Sequence, residues 1–331
     1  SCQLVDKSLV PGSAGHDRAM SDQLLAIAAA QHGILAPEDV VRADVDHNAL
    51  AALVRSGVLH RVRRGAYVVA ADWTAATPEK RLDLRTRAVL RTRSHAGEAA
   101  THQSALAVHG LPLHGVVLGV VDISGQVRRV RREGSLRVHP TDPGLEVVEV
   151  DGCRSVSIAV ALAQVALREG RLPAIVAADR ALARRRVELE EVIALVRQLA
   201  PTPRQAVRAE RWLRQCDPLS ESVGETRTRL LLTDLGHAPR SQVRVADASG
   251  TIVARVDFLV GKRVIVEFDG LVKYSGQDGR EALVAEKRRE DALRALGFEV
   301  VRLTWADLDN PGRVDAPVRA MPARPARRVS G

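Results

Sequence analysis

The hydrophobic positions of the first seventy residues predict three short helices followed by a hairpin. Apolar residues recur three or four positions apart in 22–32, 37–43 and 46–55. Two segments that alternate apolar and polar residues then flank Arg63, Arg64 and Gly65. Glycine at this point allows the positive φ of a tight turn. Three helices and a hairpin with a basic tip predict a winged helix-turn-helix.

The pattern changes twice further along the chain. Short alternating segments between 116 and 150 predict strands, and apolar segments from 155 to 215 predict a helical connector. Two apolar strand-like runs, 252–260 and 264–269, then precede a charged helical segment. The expected fold class is a multidomain α/β (α+β) protein. Its expected parts are a flexible N-terminal extension (1–19), the winged helix (20–73), a middle α/β and helical domain (74–216), a C-terminal α/β domain (217–310) and a basic disordered tail (311–331).

Composition narrows the class of partner. The net charge of +9 and the isoelectric point near 10.2 favour a polyanionic partner, nucleic acid first. The amino-acid usage of a high-GC organism would by itself explain much of the arginine count. Aromatic residues make up only 2% of the chain. Single-strand binding needs several exposed rings, so the composition favours double-stranded DNA over RNA.

Composition also bears on compartment and metal chemistry. The three cysteines are far apart and lack metal-ligand spacing, which fits a reducing cytoplasm and predicts neither a zinc site nor a disulfide framework. No membrane span or signal peptide is expected. The histidines of the middle region are read as core or surface residues, because no acidic residue stands beside them at ligand spacing: His102, His109, His114 and His139.

Two basic clusters are candidates for DNA contact. The third predicted helix would enter a major groove, while the hairpin arginines would lie on phosphates. A second cluster lies on a predicted hairpin of the middle domain. The alternative is that these side chains are merely solvated, or that the fold mediates protein contacts. The candidates are His47, Asn48 and Arg55 on the helix, Arg61, Arg63 and Arg64 in the hairpin, and Arg128, Arg129, Arg131 and Arg132 in the second cluster.

The N-terminal third resembles a known family. The segments G-I-L-A-P-E-D-V-V (33–41) and L-V-R-S-G-V-L-H-R-V-R-R-G-A-Y-V (53–68) resemble the winged helix of AbiEi-like type IV antitoxins. T-H-Q-S-A-L-A-V-H-G-L-P-L (101–113) is similar to the helix that follows in that family. The resemblance implies a DNA-binding autorepressor. The partners expected are double-stranded DNA and, beyond it, a toxin partner or a second copy in a homodimer.

Acidic residues interrupt the two apolar runs near the C-terminal end. If 261–263 form a hairpin loop, Val260 pairs with Val264, and Asp257 then stands opposite Glu267 on one face. Asp269 shares that face, whereas a two-residue turn would put Asp257 on the other side.

Glu225 lies on an apolar stripe of the preceding helix and is expected to point toward the same sheet. It also stands three residues after Ser222, at the spacing of a capping box.

Buried acids need a partner. An ion pair with Arg255 or Lys262 is one account. Converging carboxylates without equal basic neighbours instead predict a hard cation, Mg²⁺ or Mn²⁺. Lys287 follows on the helical segment, where it would hold the attacking water or the scissile phosphate, or would be an ordinary surface lysine.

This order of acids and lysine resembles the PD-(D/E)XK nucleases, and more closely the branch similar to Vsr endonucleases, over roughly 221–308. The resemblance implies a restriction-endonuclease-like mixed sheet flanked by helices. It implies Asp257 and Glu267 as metal ligands, Glu225 as an additional ligand or orienter, and Asp269 as a companion of Glu267. Asp269 stands where the family has lysine.

The expected function is metal-dependent hydrolysis of DNA phosphodiester bonds, in repair, phage defence or a toxin–antitoxin system. The alternative is a non-catalytic antitoxin or transcriptional regulator with a degenerate nuclease fold. RNA is a third candidate substrate, against which the scarcity of aromatic residues argues.

Overall fold

The computed structural model describes the backbone of residues 13–93, 97–270 and 277–320, and the side chains of 22–93, 97–270 and 285–320. By its internal contacts the chain divides after Val165 into two compact units. Within the described residues, no helix combines the length and apolar character needed to cross a membrane.

The N-terminal unit begins with a small helical bundle and a three-stranded sheet. The sheet has the antiparallel order β1-β3-β2. This order of elements is typical of a winged helix-turn-helix. The elements are α1 (Ser13–Ala30), β1 (Ile34–Leu35), α2 (Pro37–Arg42), α3 (His47–Arg55), β2 (Leu59–Arg63), β3 (Ala66–Val69) and α4 (Ala70–Ala75).

Local sequence explains the start and orientation of α3. The side chain of Asp46 accepts a hydrogen bond from the backbone N–H of Ala49 at 2.7 Å, as an N-cap does. Leu50 and Leu53 are buried against Leu24 and Leu59, so the opposite face of α3 is left to solvent.

The rest of this unit is a six-stranded mixed sheet with helices. Its strand order is β6-β7-β5-β4-β9-β8, which makes β6 and β8 the edge strands. The elements are α5 (Pro78–Arg93), β4 (Ala99–Ala100), α6 (His102–Val108), β5 (Val121–Gly125), β6 (Arg131–Glu133), β7 (Leu136–Pro140), β8 (Val147–Val150), β9 (Cys153–Val156) and α7 (Ile158–Arg168), within which the division of the chain falls.

The C-terminal unit is a helical segment followed by a four-stranded mixed sheet in the order β10-β11-β12-β13. Only the β12–β13 pair is parallel among these three pairs. The elements are α8 (Arg171–Ala183), α9 (Leu189–Leu199), α10 (Pro203–Leu213), α11 (Val223–Asp234), β10 (Pro239–Ala246), β11 (Ile252–Val260), β12 (Val264–Phe268), α12 (Gln277–Ala295), β13 (Glu299–Leu303), α13 (Trp305–Leu308) and α14 (Pro311–Ala320).

Two terminal predictions differ from the structure. Residues 311–320 form α14, not a disordered tail, because Val314 and Val318 are buried in the core beside β13 and α13. The N-terminal extension is likewise helical from Ser13 onward, as the first part of α1. Residues 1–12 and 321–331 lie outside the described residues.

Candidate functional site

The exposed face of α3 carries the residues predicted for groove contact. His47, Asn48 and Arg55 are all exposed, and Ala52 is exposed between them. Residues 48, 52 and 55 are spaced three or four apart and therefore share one side of the helix.

The β2–β3 hairpin carries arginines and packs beside α3. Arg61 and Arg64 are exposed, whereas Arg63 is half-buried. Arg63 pairs with Ala66, so the loop is only Arg64 and Gly65, and Gly65 has a φ of 79°. Solvent-facing guanidinium groups on a short rigid hairpin suit phosphate contact better than base readout.

The second basic cluster lies at a sheet edge. Arg131 and Arg132 belong to the edge strand β6, while Arg128 and Arg129 precede it, and all four are exposed. Charged residues on an edge strand also prevent unwanted pairing with other sheets. The structure therefore agrees with both accounts of this cluster, phosphate contact and a solvated edge.

The hairpin between β11 and β12 has the register that the sequence predicts. Val260 pairs with Val264 and Phe258 pairs with Val266 across the loop 261–263. Continued by one residue, this register puts Asp257 opposite Glu267 on one face of the sheet. Both residues are half-buried.

Glu225 is brought toward this face by α11. It is buried, and its carboxylate accepts hydrogen bonds from the Glu221 N–H and the Gln242 side chain, both at 2.9 Å. The Ser222 hydroxyl accepts from the Glu225 N–H at 3.1 Å, which confirms the capping role of Ser222. The Glu225 carboxylate thus binds the N–H of Glu221, whereas a capping box would require that of Ser222, and its negative charge acts on Asp257.

A glycine sets how closely α11 approaches the sheet. A methyl group added at Gly224 would lie 1.9 Å from Cε1 of Phe268, at the end of β12. On the other side of α11, Arg229 and Thr226 donate to the buried carboxylate of Asp179 on α8, at 2.7 and 2.8 Å. These two contacts hold α11 between α8 and β12.

Burial and the charges of neighbouring acids raise the pKa of both strand acids. For Asp257, burial is the main cause, and the negative charge of Glu225 adds to it, while a hydrogen bond from the Phe268 N–H at 2.9 Å opposes it. Burial likewise raises the pKa of Glu267, with a contribution from Asp257 and opposition from Arg289. Two acids whose charged forms are disfavoured by burial and by neighbouring acids are electrostatically suited to a cation.

Among the residues whose side chains are described, an arginine that sequence reasoning missed contacts Glu267 on this face. Arg289 on α12 donates to Glu267 at 2.9 Å and to Glu286 at 2.9 Å. The Glu286 contact is the main cause that raises the pKa of Arg289, and Glu267 contributes too. Spacing alone shows that Glu286, Arg289 and Glu290 share one side of α12, and only the packing of this helix on β11 and β13 decides that Arg289 is the residue that meets Glu267.

Lys287 occupies a different position. It is exposed and lines an open groove of about 290 Å³ with Glu286, Glu290, Asp291, Arg294 and Arg302. Lys287 therefore fits the surface alternative, and Arg289 supplies the positive charge at Glu267. Asp269 is exposed after the end of β12, where its N–H donates to the Leu303 carbonyl at 2.8 Å.

The sequence offered an ion pair with Arg255 or Lys262 as an alternative to a bound cation, and neither residue pairs with Asp257. Arg255 contacts Glu221 at 2.8 Å, and Lys262 is exposed in the hairpin loop. Arg255 and Lys262 thus do not bind the two strand acids, and Arg289 is the basic residue that contacts Glu267.

Comparison with known proteins bears on the N-terminal part. Residues 22–70 match the family described as "Transcriptional regulator, AbiEi antitoxin". The matched segment begins within α1, at Asp22, and ends at Ala70, the first residue of α4. It is a minor part of the chain. No curated protein matches the chain. The antitoxin resemblance is confirmed for this segment, and the nuclease resemblance of the C-terminal domain stays a prediction.

Proposed function

We propose that this protein is a DNA-binding transcriptional regulator of the antitoxin type, which contacts duplex DNA through α3 and the β2–β3 hairpin. One observation carries the proposal: the segment that matches a transcriptional-regulator family is also the segment that leaves a helix face and an arginine hairpin exposed. In this arrangement Asn48 and Arg55 read base edges, and Arg61 and Arg64 bind phosphates.

Salt dependence of binding tests this proposal. Each arginine that neutralises a phosphate releases counterions, so the slope of log K against log salt becomes shallower by about 0.9 for each phosphate that is no longer neutralised. The measurement is fluorescence anisotropy on duplex DNA from upstream of the protein's own coding sequence, from about 50 to 200 mM salt. We expect Arg61→Ala and Arg64→Ala each to weaken binding and flatten this slope.

A charge-matched control separates direct binding from net charge. Arg204 is exposed on α10 in the other unit, so Arg204→Ala removes one positive charge without touching the hairpin. An equal flattening in Arg204→Ala and in the hairpin variants would exclude the hairpin as the DNA-binding surface.

A second candidate function is metal-dependent hydrolysis of a DNA phosphodiester at the acidic face. The specific observation in its favour is that the register of β11 and β12, continued by one residue, puts Asp257 opposite Glu267, two half-buried acids whose pKa values are raised by burial and by neighbouring acids. Carboxylate oxygens are the ligand type that Mg²⁺ and Mn²⁺ prefer. The oxygens of Asp257, Glu267 and Glu225 do not all lie within 4.8 Å of one another in this structure, so the three acids would have to move closer together to share a cation. A bound cation would lower the pKa of its water and neutralise charge on the phosphate.

The protein's own residues have defined parts in this reaction. The Phe268 N–H holds one oxygen of Asp257, which leaves the other oxygen for a ligand. Arg289 holds Glu267 and Glu286 through Nε and Nη2. Its Nη1 donates to the Arg255 carbonyl, so one N–H of Nη1 is left for a phosphate oxygen. In this scheme Arg289, not Lys287, acts on the phosphate.

Plasmid cleavage with Mg²⁺ or Mn²⁺ tests this second function. We expect nicking by the wild type to fall at least about 100-fold in Asp257→Ala and Glu267→Ala, as is typical when a metal ligand or an electrostatic group is removed. Lys287→Ala is the matched control and is expected to keep activity. Equal nicking by all four proteins would assign the cleavage to a contaminant. Salt-sensitive DNA binding without cleavage would leave the regulator as the function.

A further inference from the structure

We propose that His102, Asp122 and His139 form a binding site for a transition-metal ion, Zn²⁺ first, in the N-terminal unit. One potential ligand atom from each residue lies within 4.8 Å of the other two. Among the described residues, this is the group of histidine, cysteine and acidic side chains that meets this spacing. All three residues are buried, at 9%, 0% and 8% exposure.

The tertiary structure brings these residues together from three elements. His102 begins α6, Asp122 lies in β5, and His139 lies in β7. The parallel pairing of β5 with β7 puts Asp122 beside Arg137 and Ser124 beside His139, so the side chains of Asp122 and His139 share one face. The residues are too far apart in sequence for spacing to reveal the site, and Asp122 is the acidic partner that the sequence did not identify.

The state of His102 is the observation that points to a ligand. Its Nδ1 atom is buried and has no hydrogen-bond partner, although buried ring nitrogens are normally satisfied. Its backbone has a φ of 52°, in the sparsely populated left-handed region. Strain and an orphan polar atom at one residue are typical of functional sites. The ring stacks on that of His139, with centroids 4.2 Å apart.

Asp122 and His139 already lie in contact with each other, as two ligands of one ion would after a small separation. His139 Nε2 and Asp122 Oδ1 are 2.7 Å apart, so a proton occupies the place between them that a metal ion would take. Arg137 donates to Oδ2 of the same carboxylate at 3.1 Å. This hydrogen bond can persist when Oδ1 turns to a metal, and an outer partner of this kind orients a carboxylate ligand.

The donor set selects the class of metal. Two imidazoles and one carboxylate suit Zn²⁺ and its transition-metal neighbours, whereas Mg²⁺ prefers oxygen ligands alone. Arg137 also lies 2.9 Å from Oδ1 and neutralises Asp122, so we expect weaker affinity than in thiolate zinc sites. Because the ligands join α6, β5 and β7 and are buried, the bound ion would stabilise this unit instead of acting on a substrate.

Equilibrium dialysis of the full chain against ZnCl₂, after treatment with a chelator, tests the proposal. Metal analysis is expected to find one Zn²⁺ more per chain in the wild type than in His102→Asn or His139→Gln. Asparagine tolerates positive φ, so His102→Asn removes the ligand without new backbone strain. In the wild type, saturating Zn²⁺ is also expected to raise Tm by about 5 °C or more, and in both variants this shift is absent.

The chain offers a matched control. His32 is exposed and has a φ of 56°, so His32→Asn makes the same substitution at a similar backbone position outside the cluster. All measurements are made also in an Asp257→Asn background, which weakens the acidic face as a second binding place for the metal. Variants whose circular dichroism matches that of the wild type yet bind zinc equally would overturn the proposal, as would a wild type that binds none.

Discussion

The two units contain aspartates of opposite electrostatic character, Asp39 in α2 and Asp257 in β11. Burial alone would raise the pKa of Asp39, but hydrogen bonds from Arg91, the Ala36 N–H and Gln31 outweigh it, and the pKa is lowered. Burial raises the pKa of Asp257, and the repulsion from Glu225 adds to it. Asp39 therefore stabilises its unit in the charged form, whereas charged Asp257 is held at a cost.

The opposite pKa shifts of the two aspartates distinguish Asp39, a residue that stabilises the fold, from Asp257, a residue of the candidate site. Arg91 on α5 binds both oxygens of Asp39, at 2.9 and 3.1 Å. This contact fixes α2 of the winged-helix segment to α5. Acids held against their own electrostatic preference are instead characteristic of functional positions. In these two aspartates burial therefore has opposite outcomes, because three groups that donate to Asp39 outweigh it and the single Phe268 N–H that donates to Asp257 does not.

The largest expected effect comes from removing the charge of Asp39. Asp39→Asn places an NH₂ group against the guanidinium donors of Arg91 and leaves that arginine without its carboxylate. We expect a decrease of roughly 3 kcal/mol in the free energy of unfolding, at the low end for a broken buried pair because Arg91 is partly exposed. Urea denaturation measures it. Asp44→Asn, at an exposed position with φ of 53°, is the control. Equal stability of both variants would contradict the scaffold role.

A smaller decrease is expected from Gly224→Ala in the C-terminal unit. The added methyl group would overlap the ring of Phe268, so α11 must shift away from β12 and carry Glu225 with it. Overpacking of this kind costs about 1–3 kcal/mol, although alanine favours the helix itself. Thermal denaturation measures the change, and Gly119→Ala, where the methyl group meets open space, is the control. An unchanged Tm would show that the packing of Gly224 on Phe268 does not set the position of α11.

An increase in stability is expected from Asp257→Asn. Asparagine keeps an oxygen for the Phe268 N–H but removes a charge that burial and Glu225 disfavour. In the presence of EDTA at pH 7 the variant should therefore unfold at a higher temperature than the wild type. Lower stability of the variant without metal would mean that Asp257 is a structural residue, and the contrast with Asp39 would disappear.

The pH dependence of these two variants gives the finest test. The pKa of Asp39 is below its ordinary value of 3.8, so its stabilisation is present above that pH and is lost as the pH falls through the folded-state pKa. The pKa of Asp257 is above 3.8, so its cost is absent below that value and grows as the pH rises through the folded-state pKa. Going from pH 7 toward pH 3, both the destabilisation by Asp39→Asn and the stabilisation by Asp257→Asn should shrink. Urea titrations at several pH values measure both.

Parts of the candidate site could be predicted from sequence because they depend on local rules. The three-residue loop after Val260 determines the register, and the two-residue periodicity of strands then puts Asp257 and Glu267 on one face. Arg289 was missed because the charged run of α12 contains several basic residues, and only packing of the helix on the sheet decides which one meets Glu267.

The sequence by itself determined the helices and hairpin of the N-terminal segment, the β11–β12 hairpin and the acidic pair of this protein, since caps, turn residues and hydrophobic periodicity act over a few neighbouring positions. Only the tertiary structure decided which cation reaches Glu267, which acid reaches His139 and whether residues 311–320 are ordered. Each of these depends on contacts between distant segments, such as β5 with β7 or α14 with β13. Long-range packing of this kind is set by the sum of many burial contacts, which no local pattern encodes.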